Sequence, residues 1–338
     1  MPRTRTTSAA LVLALCLAAC VGGEPTPPVA GDTDPAADTT ATVYPLTVDN
    51  CGVEVSFEAP PERVVLLNSA PVAALAALDV LDRVVARAGA FPEEYYTDEV
   101  NAAIAGIDSI GEGLDTSGHL QISQEAVLAA RPDLVLGLPD GMTREGLAAA
   151  DVPLIIEPAM CPQGLDAPTF ADIEAQVATY GGIFDRREAA ADTVASLRQR
   201  VADATVSAGG AVDGQRTAAV LYPTVGGGTG YAYGNRSMAH PQLEAAGFAN
   251  VFGDVDERVF EVTLEEVLDR DPQILVLLHV DGEPGPVEQA VVDLPGADTL
   301  TAIRNGDVLV QLFNFTEPPT PLSVDGLERI VDAFGDRR

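Results

Sequence analysis

The 338-residue chain contains no lysine, so its 19 basic side chains are all arginine. That absence removes a Walker A phosphate loop, Schiff-base chemistry and lysine general bases together. Positive charge of any kind is scarce, because 51 Asp and Glu leave a formal net charge of −32. A surface of that sign argues against binding nucleic acid, which needs clustered Lys and Arg. Solubility outside a cell accounts for it more simply. Neither a G-x-S-x-G elbow nor an H-E-x-x-H pair occurs, so two common hydrolase signatures are missing as well. Histidine is limited to His119, His240 and His279. Three His with a carboxylate could hold Zn²⁺ or Mn²⁺, but His240 opens an expected helix, where a cap or turn role suits it. No metal site is assigned.

Long apolar runs are also lacking. Residues 11–17 (LVLALCL) follow Arg3 and Arg5 and are too short to cross a membrane as a helix. The run ends in Leu17-Ala18-Ala19-Cys20, which resembles a bacterial lipobox. Residues 1–20 therefore read as a lipoprotein signal, with Cys20 as the acylated residue. An ordinary cleaved secretion signal is the alternative. Several acyl chains hold a protein firmly, so the mature chain is expected on the outer face of the cytoplasmic membrane. Residues 21–42 are rich in Pro, Gly, Ala, Thr and Asp and read as a disordered tether. Fully stretched it would reach roughly 70 Å at about 3.3 Å per residue.

Of four Cys, Cys16 falls in the signal and Cys20 is the lipid site, leaving Cys51 and Cys161. In an exported chain these two are expected to pair. A metal or redox pair, the alternative, usually has closer spacing.

The remaining residues, about 295, suit two domains. Between them lies DRREAAADTVASLRQRVADATVS (residues 185–207), where Val194, Leu197, Val201 and Ala204 recur at helical spacing. Asp185 followed by Glu188 is an approximate capping box. On either side stand ISQEAVLAARPDLVLGL (122–138) and VTLEEVLDRDPQILVLL (262–278), which align without a gap. Ser123 falls on Thr263, Glu125 on Glu265, Leu128 on Leu268 and Pro132 on Pro272. Each copy reads as a capped helix, a proline stop and a buried strand. The expected fold class is α/β: two Rossmann-like lobes, residues 43–184 and 208–338, with mainly parallel central sheets joined by one spine helix.

In the first lobe, residues 46–48 and 53–57 read as a hairpin and RVVLLN (63–68) as a strand inside a parallel sheet. A helix over 71–78 and a strand over 84–88 follow. Residues 91–100 read as a loop and 107–121 as a Gly-rich connection. A helix over 143–150 and a strand over 154–157 close the series. In the second lobe, TAAVLYP (217–223) opens the sheet before the Gly-rich VGGGTGYAYGN. That loop lacks G-x-G-x-x-G in register, so a nucleotide role is not supported. A helix over 241–246, a strand over 308–312 and a final helix over 324–334 finish the chain.

PERVVLLN…ALDVLDRVVARAG, then ISQEAVLAARPDLVLG, resembles the first lobe of ABC-transporter substrate-binding proteins that deliver ferric siderophores, cobalamin or haem. YGNRSMAHPQLEAAGFANVFGD, VTLEEVLDRDPQILVLL and LTAIRNGDVLVQL continue the resemblance through the second lobe. It covers nearly everything from about residue 44 onward. The resemblance implies no enzyme and no resident cofactor. It implies a monomer that passes a small iron chelate, an Fe(III)–siderophore complex, to an ABC permease dimer driven by its ATPase. It further implies that Glu125 and Glu265, placed alike before Pro132 and Pro272, meet arginines of the permease. The bland reading is acidic residues in a helix's first turn, which the dipole favours.

Ligands of open α/β sheets sit beyond the carboxyl ends of the strands. That rule nominates Asn68 and Ser69, Pro139 and Asp140, Tyr222, the 231–236 loop with Tyr231, Tyr233 and Arg236, His279, and Phe313 to Phe315. Tyr95 and Tyr96 are added as nearby aromatics. Aromatic rings suit a bulky chelate's apolar rim, and a guanidinium can bridge its oxygens. Core packing for Tyr231 and Tyr233, a solvated Arg236 and a core His279 are the competing readings. The expected cargo is a ferric siderophore. Cobalamin, haem or another large cofactor-like molecule is the alternative, and direct Zn/Mn capture a weaker one. An exported hydrolase or an adhesive lipoprotein would be a different class.

Overall fold

In the computed structural model, which describes residues 41–115, 119–208, 215–226 and 230–335, the chain begins with a hairpin. The signal, Cys20 and nearly all of the tether lie outside the described residues. Strands β1 (Leu46–Asn50) and β2 (Val53–Phe57) pair antiparallel. The turn residues Cys51 and Gly52 both have positive φ, 62° and 75°, the geometry of a two-residue hairpin turn. Cys51 is disulfide-bonded to Cys161, with Cα atoms 5.3 Å apart. Beside it the buried Asn50 side chain donates to Ile156 O (2.7 Å) and accepts from Ile156 N (2.9 Å) and Arg144 Nη2 (2.7 Å). The hairpin tip is thus fixed to the first lobe by one covalent and three polar links.

The first lobe is built on β3 (Val64–Leu66), β4 (Val84–Ala88), β5 (Asp108–Gly111), β6 (Leu134–Leu136) and β7 (Leu154–Ile155). They form a parallel sheet in the order β5-β4-β3-β6-β7. Val64, Leu66, Leu134 and Leu136 have no exposed surface, as strands covered on both faces require. Helices α1 (Val72–Ala77), α2 (Asp98–Ala105), α3 (Gln124–Ala129), α4 (Arg144–Ala148) and α5 (Phe170–Ile183) accompany it. The strand order reverses between β3 and β6, which makes their carboxyl ends the lobe's switch point.

Helix α6 (Arg187–Ser207) then leads into the second lobe. There β8 (Thr217–Tyr222), β12 (Ile274–His279) and β13 (Val308–Leu312) run parallel. Strands β9 (Gly230–Tyr233) and β11 (Val259–Val262) extend the sheet antiparallel, and β10 (Ala249–Asn250) lies beside the start of β8. Helices α7 (Ala239–Ala245), α8 (Leu264–Arg270), α9 (Pro284–Val292), α10 (Thr301–Asn305) and α11 (Pro321–Phe334) complete it.

Helix α6 contributes to both cores: Ala190 and Leu197 pack in the first lobe's, Ala204 in the second's. Met238 and Val324 of the second lobe also enter the first lobe's core. The two lobes therefore share apolar packing instead of meeting only at a hinge.

Several elements differ from the sequence reading. Helix α6 starts at Arg187, and Asp185 does not cap it; Asp185 has φ 55° and its Oδ1 accepts from Thr42 N at 2.6 Å. The reason is helix α5 immediately before it. Gly181 lets α5 lie so close that an added Cβ would stand 2.4 Å from Ala190 Cβ, and the tight turn takes Asp185 left-handed. Helix α5 (Phe170–Ile183) falls in a stretch to which the sequence reading assigned no element. The last three residues of the expected 91–100 loop instead begin helix α2 (Asp98–Ala105), started by the Thr97 hydroxyl accepting from Val100 N (3.4 Å). Strand β5 lies inside the Gly-rich connection; it is an edge strand with polar, exposed residues and carries no apolar run. Helix α11 begins three residues before the expected start, with Pro321 in its first turn, a position proline tolerates.

The Cys51–Cys161 bond closes a loop of 110 residues. Replacing both cysteines by serine should lower stability by about 4 kcal/mol, read from urea unfolding without reductant. Equal midpoints for the two proteins would show that Asn50 and Arg144 hold the hairpin without it.

Candidate functional site

The loops leaving the carboxyl ends of the two sheets border an open hollow of about 360 Å³, here called the cleft. It is lined by residues 90–94 after β4, residues 281–282 after β12, and Leu312 at the end of β13. Phe91, Pro92 and Leu312 give it an apolar wall, while Glu93, Glu94 and Asp281 bring three exposed carboxylates. Only Glu94 has a cationic partner among the described residues, Arg329 Nη2 at 2.6 Å. Arg329 also lies over the Phe315 ring, 4.4 Å from its centroid.

Behind the cleft the lobes are sewn together by residues the sequence nominated as ligand contacts. Asn314 N donates to Tyr95 Oη (2.8 Å) and Asn314 Nδ2 to Ser69 Oγ (2.9 Å) across the seam, while within the first lobe Tyr96 Oη donates to Ser69 O (2.8 Å). Tyr95 packs against Tyr96 and edge-on against Phe315, with centroids 5.6 and 5.1 Å apart. Burial pushes both tyrosine hydroxyls well above their ordinary range. Tyr95, Tyr96 and Phe315 thus spend their polar groups and faces on the lobe seam.

Across the second lobe, Tyr222 and Tyr231 are cross-strand partners on β8 and β9. Tyr222 meets Phe313 edge-on at 6.3 Å, and burial followed by the nearby Asp281 charge raises its pKa. Tyr222, Tyr231 and Phe313 stay half-buried. His279 is nearly buried, and its Nδ1 lies 2.9 Å from Asp281 O. Tyr233 is in the core; burial, then the Glu317 charge, lifts its hydroxyl far above the ordinary value. Arg236 reaches Asp166 of the first lobe (2.9 Å) and Asp256 (3.1 Å), so its charge is already answered. Asp140 is exposed and pairs with His119 at 3.3 Å. The three histidines are separated, and no group of three or more His, Cys, Asp or Glu able to hold a metal occurs among the described residues.

Asn68 sits at the switch point between β3 and β6, with Oδ1 accepting from Ala70 N (3.0 Å). Beneath it lies Glu157, fully buried, with Oε1 lacking a hydrogen-bond partner, as do both polar atoms of the buried Gln176. Burial pushes the Glu157 carboxyl up to about 7, against the opposing pull of its own backbone and the Asn68 side chain.

Glu125 and Glu265 occupy equivalent exposed positions in the first turns of α3 and α8. Ser123 and Thr263 cap these helices, accepting from Ala126 N and Glu266 N. The backbone amide and the Ser123 hydroxyl hold the Glu125 carboxyl below its usual range.

Glu93, Glu94, Asp281 and Leu312 line the cleft without having been nominated. Asp281 lies two residues past the end of β12, and the glutamates directly precede Tyr95. A wider window beyond each strand would have found the first, whereas the 90–94 loop shows no pattern of its own.

The chain belongs to the periplasmic binding protein family, whose sequence pattern matches residues 64–311. That family consists of binding proteins, not enzymes. One solved structure, described as an ABC-type Fe3+-hydroxamate transport system from Saccharomonospora viridis, is 66% identical with a TM-score of 0.83. The match covers 87% of this chain and 100% of that one. A haem-binding protein of Pseudomonas aeruginosa shares the fold at 21% identity and TM-score 0.64, covering 82% and 93% of the two chains. A vitamin B12 binding protein of Vibrio cholerae does so at 17% and 0.58, covering 82% and 99%. No curated relative matches the chain.

Glu157 gives a pH test. Its carboxyl normally titrates near 4.5 and in the fold near 7, so the neutral form is the one the fold accepts. Its contribution is complete below about pH 4.5 and is lost as pH rises through about 7. Glu157→Gln should flatten that fall and gain up to about 3 kcal/mol over the parent at pH 8, at about 1.4 kcal/mol per pKa unit. Urea unfolding at pH 5 and pH 8 measures it. A parallel pH dependence in both proteins would mean that Glu157 is solvated.

Proposed function

We propose that the chain is the lipid-anchored, extracytoplasmic binding component of an ABC importer, and that it carries a ferric hydroxamate siderophore in the cleft between its lobes. The observation that carries this reading is the 66% identity to a protein described as part of an Fe3+-hydroxamate transport system, spanning the whole of that chain. The cleft supports it with an aromatic and apolar wall and a few polar groups, the usual make-up of a small-molecule site. The anchor rests on Cys20 and the tether ahead of the lobes; no helix among the described residues is long and apolar enough to cross a membrane. Binding, without a chemical step, is the whole task.

Delivery is assigned to Glu125 and Glu265. Each is exposed at the same place on equivalent helices of the two lobes, so together they present two matching carboxylates to a permease dimer carrying arginines.

Native mass spectrometry of the purified chain tests the cargo, offering ferric hydroxamate, catecholate and carboxylate chelates together with haem, cobalamin, Zn²⁺ and Mn²⁺. A one-to-one complex with the hydroxamate is expected. Retention of haem or cobalamin instead would replace the cargo.

Docking is tested separately. The double variant Glu125→Arg/Glu265→Arg should keep its ligand affinity yet lower cellular uptake of the radiolabelled iron chelate at least tenfold. Unchanged uptake would remove both glutamates from the interface.

A further inference from the structure

The cleft carries a charge that its cargo must answer. Of the three carboxylates lining it, Glu94 is held by Arg329, while Glu93 and Asp281 are exposed and form no ion pair among the described residues. They stand on opposite lobes, one after β4 and one after β12, so any occupant of the cleft meets both. Against these three carboxylates stand two cations: Arg329, held by Glu94, and Arg87, which stacks over Phe91 with its Nε donating to Ile104 O (3.3 Å) and forms no ion pair among the described residues, so the lining stays net negative. Arg236 is held away between Asp166 and Asp256. No lysine exists to supply another. Ferric chelates differ strongly in this respect. Three hydroxamates, each singly charged, neutralise Fe³⁺, whereas three doubly charged catecholates leave a strongly anionic complex. An unattached amine on the hydroxamate backbone adds a positive charge at neutral pH.

We infer that Glu93 and Asp281 select the cargo by net charge, favouring a ferric tris-hydroxamate that bears a protonated amine over neutral and anionic chelates. The inference rests on the hydroxamate reading above. The apolar wall of Phe91 and Leu312 packs on the chelate's carbon backbone, and the ammonium sits toward the two carboxylates. Their charge repels a tris-catecholate at the same place, and the chain's overall negative field adds to that at a distance.

The test compares three ferric probes on the full-length chain. One is a linear tris-hydroxamate with a terminal primary amine, the second its N-acetylated form, the third a tris-catecholate. Quenching of tyrosine fluorescence reports binding, since the chain has seven Tyr and no Trp. The amine form should bind about five- to tenfold more tightly than the acetylated form at low salt. The gap should narrow with added salt. The double variant Glu93→Gln/Asp281→Asn should close most of it, both positions being exposed and remote from the core. Equal affinity for the two hydroxamates, or a gap the variant leaves intact, overturns the charge selection while leaving the hydroxamate reading in place. Binding of the catecholate alone, or of none of the three by a chain that retains haem, overturns that reading and the inference with it.

Discussion

Leu197 and Ala204 lie about two turns apart on α6, and each enters the core of a different lobe. That one helix fixes the distance between two sheets whose carboxyl ends must face each other. It does not act alone, since Met238 and Val324 cross from the second lobe into the first lobe's core. Separating the lobes would expose this shared surface at roughly 25 cal/mol per Å² and break the buried contacts of Asn314 with Tyr95 and Ser69. The cleft is therefore held in shape by the frame itself, and under the proposed reading that reduces the ordering cost of binding. The same economy explains why Tyr95, Tyr96 and Phe315 stand near the cleft yet face one another: they are part of the frame.

Charge is distributed with a similar division of labour. Arginines lie in the structure's joints. Arg258 meets the fully buried Glu317 at 3.2 Å, Arg200 on α6 joins Asp325 and Glu328 of α11, and Arg216 binds Asp307. A buried carboxylate such as Glu317 needs a partner of this kind, because removing it would leave an uncompensated charge out of water. With no lysine and each of these arginines committed, carboxylate dominates the free charge left at the surface. The acidity that composition assigns to solubility thus reaches into the cleft as well.

Much of this was legible in the sequence, for identifiable reasons. Strands β3, β6 and β12 are continuous apolar runs with no competing pattern, and β3 and β6 flank the first lobe's switch point. The gapless repeat placed α3 and α8 and their capping residues. The surroundings of each nominated side chain were not legible. Nothing local to Arg236 says that Asp166, far away in sequence, will occupy it, and nothing local to Tyr233 says that it points into the core while its neighbour Tyr231 stays half-exposed. Strand alternation puts both on the same face of β9, so it cannot tell the one at the buried end from the one nearer the surface. Helix α5 went unassigned, although Gly181 near its end is what lets it pack against α6.

Asn68 shows how a short sequence feature becomes meaningful only in three dimensions. Its Oδ1 is held by Ala70 N, which turns its amide nitrogen toward the end of β6. Gly137 lies there with φ 92°, and a Cβ on it would stand 2.4 Å from Asn68 Nδ2. Any other residue at 137 would be strained in its backbone and would also push Asn68 from the switch point. In the sequence this glycine is simply the residue that ends LVLG, one of many turn signals. In the fold it is the condition for a polar side chain to stand between the two central strands, above the buried Glu157 whose protonation that side chain helps to set.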